Sequence, residues 1–363
     1  MLGKTKVETT MKKPILAAIL SVSGTALTDD EKFLLEKANP LGVSLFGRNI
    51  ASKEQLKKLN AEIKTVIGRN DVLIALDEEG GRVNRLKPLG YEYAWAKALG
   101  NDGSEQMAKL HCKIIAQDMF ELGANFNFAP VLDIEYEQTT IALKGRCLSS
   151  DAKIVADLGR IMWQTYAQSG VCPCLKHLPG HGRAYNDPHL QLPAVTCSLT
   201  EMEKDFYPFI KNNDCPMAMT AHILITELDN QNPITFSKRG IDEIIRSRIG
   251  FNGFLLSDAL EMNALKGSVI ERATAAWNAG CDAVCYCNGN IHDMQSLCEN
   301  AQFLTDIALE RFNNVKNVLQ NQKKSIQSIT ERELYQQFLH SHNIKEIKYD
   351  ATEILHQMQQ GEK

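Results

Sequence analysis

No apolar run in this 363-residue chain is long enough to cross a bilayer, so a membrane-spanning role is not expected. Neither sign of charge dominates. Lys and Arg number 40 against 44 Asp and Glu, giving a formal net charge of −4 and a pI near 6.2. The basic footprint that binding to nucleic-acid phosphates requires is therefore absent. The ten cysteines form no paired CxxC knuckles of the kind that hold structural zinc. Two CxC pairs, Cys172 with Cys174 and Cys285 with Cys287, lie in apolar runs such as AVCYC, where a thiol packs as a small hydrophobe. Free buried thiols in a reducing, cytoplasmic setting are expected rather than a disulfide framework. A GxxxxGK[ST] phosphate loop, internal repeats and low-complexity segments are also lacking.

What the chain does have is alternation. The short apolar, β-branched runs are 15–22, 42–47, 72–77, 124–134, 170–177, 217–223, 253–260 and 281–287. Amphipathic helical patterns such as KEQLKKLNAEIKTVI and SEQMAKLHCKIIAQDMFELG separate them. Eight near-continuous apolar strands alternating with helices predict a parallel sheet covered on both faces, closed as a (β/α)8 TIM-type barrel. MKKPILAAILSVSGTAL, from Met11, imitates a signal peptide. That run is short, contains Pro14 and leads into TDDEKFLLEKA, where Thr28 stands three residues before Glu31 as in a capping box. It reads as a first buried strand and its helix. The organisation expected is an N-terminal extension over 1–14, a catalytic barrel over 15–300, and charged extra helices over 301–363 packed on the barrel.

Polar residues collect at the C-terminal ends of these strands: Arg48 and Asn49, Asp77, Asp133, Lys176 and His177, His222, Asp258, and Asn288. In a barrel those ends converge on one mouth, where active sites sit. The densest stretch is KHLPGHGRAYNDPH, from Lys176 to His189. His177 and His181 have the i, i+4 spacing of a helical zinc site, but Pro179 and Gly180 oppose the helix and no acid occupies the zincin position. What remains is a strand end, a turn and a loop closing on Asp187-Pro188-His189. Asp187 and His189, two apart, can pair as carboxylate and imidazole, which suits a general acid/base. Asp258 ends an apolar strand in GFLLSDALEM, where an ionised carboxylate is costly unless partnered or working. It reads as a nucleophile or stabiliser, or as a cap for the next helix. In IALDEEGGRVNRL, Asp77 precedes a Gly80-Gly81 turn and the pair Arg82 and Arg85. Charge-assisted bonds from such a cluster can hold sugar hydroxyls, with Arg146 as a further clamp.

In this order, GVSLFGRNI, ALDEEGGRVNRL, GANFNFAPVLDI, KHLPGHG…DPHLQLP, MTAHI, FLLSDALEM and AGCDAVCYCN resemble glycoside hydrolase family 3. The resemblance spans about residues 15–290 and points to its one-domain bacterial β-N-acetylglucosaminidases of cell-wall recycling. It implies a retaining hydrolysis through a glycosyl-aspartate with no metal or organic cofactor, by a monomer acting on a small carbohydrate or muropeptide. It implies Asp258 as nucleophile, His189 as general acid/base on a loop and Asp187 as its orienting partner. Asp77, Arg85, Arg146, Lys176 and His177 match residues that grip N-acetylglucosamine, and His222 matches a histidine near that pocket. Where the family usually has S-D-D-L-x-M this chain has SDALEM, and Arg183 and Tyr185 follow its PGHG. A β-N-acetylglucosaminide phosphorylase is the alternative, because a neutral histidine base does not repel phosphate. A non-catalytic sugar-binding barrel is the other.

Overall fold

A computed structural model describes residues 13–184, 192–321 and 329–342. Its centre is a ring of parallel strands: Leu16–Ser21, Pro40–Ser44, Leu73–Leu76, Phe126–Asn127, the consecutive pair Cys172–Pro173 and Leu175–Leu178, Met217–Thr220, Phe254–Ala259 and Ala283–Cys285. Each pairs in parallel with its neighbours, and the first strand also pairs with the last. Cys172–Pro173 joins the fourth strand and Leu175–Leu178 the sixth, so one extended segment carries the sheet round to a nearly closed barrel. All eight apolar runs become barrel strands. Leu16–Ser21 is buried at every position, as a strand covered on both faces must be.

The helices begin where the side chains offer a cap. Thr28 accepts from the Glu31 N–H while the Glu31 carboxylate accepts from the Thr28 N–H, which completes the capping box before Asp29–Ala38. Ser52 caps Lys53–Ile67 and Ser104 caps Glu105–Glu121. Among the described residues no helix is long and apolar enough to cross a membrane.

In the C-terminal part, where charged helices are expected from 301 on, NAQFLTDIALERFNNVKNVL has one continuous helical pattern that the structure breaks. Ile291–Glu299 is the helix after the eighth strand. The chain then runs extended: the Ala17 N–H donates to the Gln302 carbonyl at 2.8 Å, and the Leu304 N–H to the Ile15 carbonyl at 2.9 Å. Thr305 then caps a new helix, Asp306–Gln320, by accepting from the Ala308 N–H. This helix lies across the N-terminal ends of the strands, not along the barrel wall. Phe312 packs on Phe254 with ring centroids 6.0 Å apart, and Arg311 donates to Asp282 at 2.7 Å. Asp282 also accepts from Arg246 and from the Leu255 N–H. The last described helix, Ile329–Ser341, packs on Glu105–Glu121 through buried Tyr335 and Phe338.

Because Phe312 is fully buried under the barrel, Phe312→Ala should remove about 3 to 5 kcal/mol of stability. It should leave KM for substrate unchanged, since the mouth is at the opposite end. A melting curve matching the parent's would show that this floor bears no such load.

Candidate active site

The third strand delivers Asp77 to the mouth, and the chain then reverses tightly. Glu78–Gly80 pairs antiparallel with Val83–Asn84. Asn127, from the fourth strand, clamps Glu78 on both sides: its carbonyl accepts from the Glu78 N–H and its amide donates to the Glu78 carbonyl, each at 3.0 Å. Gly80 and Gly81 have φ of +92° and +59°. A Cβ on Gly80 would stand 2.1 Å from the Ala94 carbonyl oxygen, so this turn requires glycine. The reversal brings Arg85 back to donate to Asp77 at 3.2 Å.

Asp77 is one member of a buried ionic cluster. Lys176, from the fifth strand, lies 2.7 Å from Asp77 and 2.6 Å from Glu79. Arg146 grips Glu79 with two bonds, Nε to Oε2 at 2.7 Å and Nη2 to Oε1 at 2.8 Å. Burial alone would raise the Asp77 and Glu79 carboxyls, but the cations beside them outweigh it and both are held below their usual range. Burial would likewise lower Lys176, and its two carboxylates raise it instead. Three cations against two carboxylates leave one positive charge in excess.

Behind Lys176 the chain makes cis bonds at Lys176–His177 and Leu178–Pro179. Fully buried Asp133, at the end of the fourth-strand segment, accepts from His177 Nδ1 at 2.6 Å and from the His181 N–H at 2.7 Å. That carboxylate places the His177 proton on Nδ1 and leaves Nε2 as the other working atom of the ring. His181 shapes the turn through its backbone. Burial lowers its imidazole to about 4, which keeps it neutral.

Asp258 is the penultimate residue of the seventh strand. No helix starts after it, since the next begins at Val269, so it is not a helix cap. Its Oδ1 accepts from the Ala259 N–H at 2.8 Å. Burial acts to raise this carboxyl, but His222, His177, the Ala259 N–H and Lys176 together bring it below the ordinary value. His222 Nε2 lies 3.0 Å from the Ala259 carbonyl, which can only accept, so that nitrogen carries the proton. Nδ1 lies 2.8 Å from Thr235 Oγ1, and burial lowers the imidazole below its usual range. Both His222 nitrogens are thus committed to the protein: it sets the backbone around Asp258.

The structure therefore brings together Asp77, Arg85, Arg146, Lys176, His177, His222 and Asp258. Asp187 and His189 lie outside the described residues. Among the described residues no group of three His, Cys, Asp or Glu is placed to hold a metal ion, and all ten cysteines are free thiols. The sequence placed Asp133 among the strand-end polar residues without a role, and did not single out Glu79 or Glu261. Glu79 was within reach, since the two-residue period of an extended chain puts it on the same side as Asp77. Glu261 accepts from the Cys287 N–H at 3.0 and 3.1 Å. Burial pushes it up to about 7; the Asp258 charge adds to this, while the Cys287 N–H and Arg48 oppose it.

The glycosyl hydrolase family 3 N-terminal domain matches residues 13–321. A β-hexosaminidase of Bordetella avium is 35% identical over 282 residues, covering 74% of this chain and 80% of its own. One from Chromobacterium violaceum is also 35% identical, over 289 residues, covering 77% and 80%. The crystal structure of NagZ from Neisseria gonorrhoeae in complex with N-trifluoroacetyl-D-glucosamine superposes with a TM-score of 0.80 at 30% identity, covering 91% of this chain and 98% of that one.

Glu261 offers a pH test. Its folded-state carboxyl stays protonated up to about 7, against 4.5 ordinarily. The favourable contribution is thus whole below 4.5 and lost as pH rises through 7. The wild-type melting temperature should therefore fall more between about pH 5 and about pH 8 than that of Glu261→Gln. Parallel pH profiles for the two proteins would refute the assignment.

Proposed function

The chain belongs to glycosyl hydrolase family 3, and from its site we propose a retaining exo-β-N-acetylglucosaminidase that removes terminal β-linked N-acetylglucosamine. The observation that carries this reading is Asp258: a half-buried carboxylate kept ionised at a strand end, beside Lys176 and His177 and, among the described residues, without a salt-bridge partner of its own. A charge held that way is suited to attack an anomeric carbon. Asp77, Arg85, Arg146, Lys176 and His177 grip the sugar ring in the −1 subsite through charge-assisted bonds. Their mutual ion pairs fix them in advance, so little ordering remains to be done on binding.

In the first step Asp258 displaces the leaving oxygen, which takes a proton from His189 held by Asp187. In the second, water gives a proton back to His189 and opens the glycosyl-aspartate, with retention overall. The Ala259 N–H and the His222-fixed backbone keep Asp258 oriented in both steps. The natural substrate we infer is a 1,6-anhydromuropeptide of peptidoglycan recycling in the cytoplasm. Support comes from relatives named β-hexosaminidase and from a structural neighbour that binds an N-acylated glucosamine. Residues 15–300 form the catalytic unit in this reading, and 301–363 its C-terminal support.

Asp258→Asn should reduce release of p-nitrophenol from its N-acetyl-β-glucosaminide by about 10³-fold or more, and His189→Ala should slow it severely. Wild-type turnover by Asp258→Asn would remove the nucleophile. Product analysis with and without phosphate completes the test: free N-acetylglucosamine supports the hydrolase, and sugar 1-phosphate would establish a phosphorylase instead. Faster cleavage of chitobiose than of 1,6-anhydromuropeptides would overturn the proposed substrate.

A further inference from the structure

Tyr335 lies on the last described helix, far along the chain from every residue of the site, and is 1% exposed. Its hydroxyl meets two other segments. The Ala94 N–H donates to it at 2.9 Å, and His111 Nδ1 lies 2.6 Å away. The hydroxyl therefore accepts from Ala94 and shares its other bond with Nδ1 of a neutral imidazole. Burial agrees, lowering His111 to about 3.

Both partners press on the turn that carries the ionic cluster. A Cβ on Gly80 would meet the Ala94 carbonyl oxygen at 2.1 Å and His111 Cε1 at 3.1 Å. The Glu79 side chain goes on to Arg146 and Lys176. The same helix holds this region a second time. Arg332 donates to Asp118 Oδ1 at 2.9 Å, whose Oδ2 accepts from the Tyr93 hydroxyl at 3.0 Å, and the Tyr93 carbonyl accepts from the Gly81 N–H.

We propose that Tyr335 is a positioning residue of the active site: through Ala94 and His111 it fixes the backbone of Glu79 and Gly80, and so the arrangement of cations and carboxylates that holds the sugar. The C-terminal helix is then a working part of the enzyme, although it contributes no group to the mouth. This rests on the reading that Asp77, Arg85, Arg146 and Lys176 grip the substrate. It gives the ion-paired cluster a backing that the barrel strands alone do not supply, since the turn from Glu78 to Ala94 stands outside the ring.

The test uses the full-length protein and an N-acetyl-β-glucosaminide. Tyr335→Phe keeps the ring and removes the hydroxyl. KM should rise about tenfold, with kcat within about threefold of the parent. A purely structural role would lower the amount of active enzyme, and so the apparent kcat, and leave KM where it was. His111→Asn removes the hydroxyl's other partner and should raise KM alike. An unchanged KM in whichever of the two variants folds would overturn the proposal. Arg85→Lys, measured alongside, separates the two readings. If it raises KM and the Tyr335 and His111 variants do not, only the positioning role fails. If Arg85→Lys itself leaves KM unchanged, the sugar-gripping cluster fails and the positioning role with it.

Discussion

Everything at the barrel mouth depends on how five charges share one small volume. Asp77, Glu79, Arg85, Arg146 and Lys176 are each too costly to bury alone. Together each carboxylate has two cations and Lys176 has two carboxylates. This arithmetic leaves one net positive charge, set near a nucleophile that must remain negative. Lys176 helps lower the Asp258 carboxyl, so the groups assigned to bind sugar also keep the reacting group ionised. Loss of one member would strip its buried neighbours of a counter-charge, and binding and nucleophilicity would decline together.

Histidine serves in this molecule in three ways that its sequence context does not distinguish. His177 is oriented by Asp133 and keeps one nitrogen available. His222 has both nitrogens used within the protein and fixes the segment that follows Asp258. His111, neutral and fully buried, passes the position of an outlying helix to the ionic cluster. Only the geometry of the acceptors separates a ring that can meet substrate from one that cannot. A carbonyl opposite Nε2, as for His222, decides the matter.

The barrel was legible because the eight buried strands repeat one simple signal, a short continuous apolar run, and each ends in a polar residue. The residues carried over from the family resemblance meet around the mouth wherever the structure describes them, except that His222 faces inward. Glu79 stayed hidden because its neighbour Asp77 already accounted for the acidic character of DEEGG. Asp133 stood out as a strand-end acid, but its role stayed hidden because it requires the backbone of a segment 48 residues further on, the His181 N–H. The break at 301–305 was obscured by a helical pattern that runs straight through it. Strand pairing for the Gln302 carbonyl and the Leu304 N–H, decided by the first strand, overrides that local preference.

The floor of the barrel sets the order in which the molecule can assemble. The first strand, near residue 16, finds its last pairing partners only at Ala283–Cys285 and around Phe303, and Asp282 receives its second arginine from the helix at Asp306–Gln320. On a ribosome, nearly 300 residues must emerge before the first strand is covered on both sides. Until then it presents the fully buried, uncharged edge of Leu16–Ser21 to its surroundings. A barrel closed by its last segments is therefore a protein whose solubility during synthesis, more than its final stability, rests on the C-terminal third.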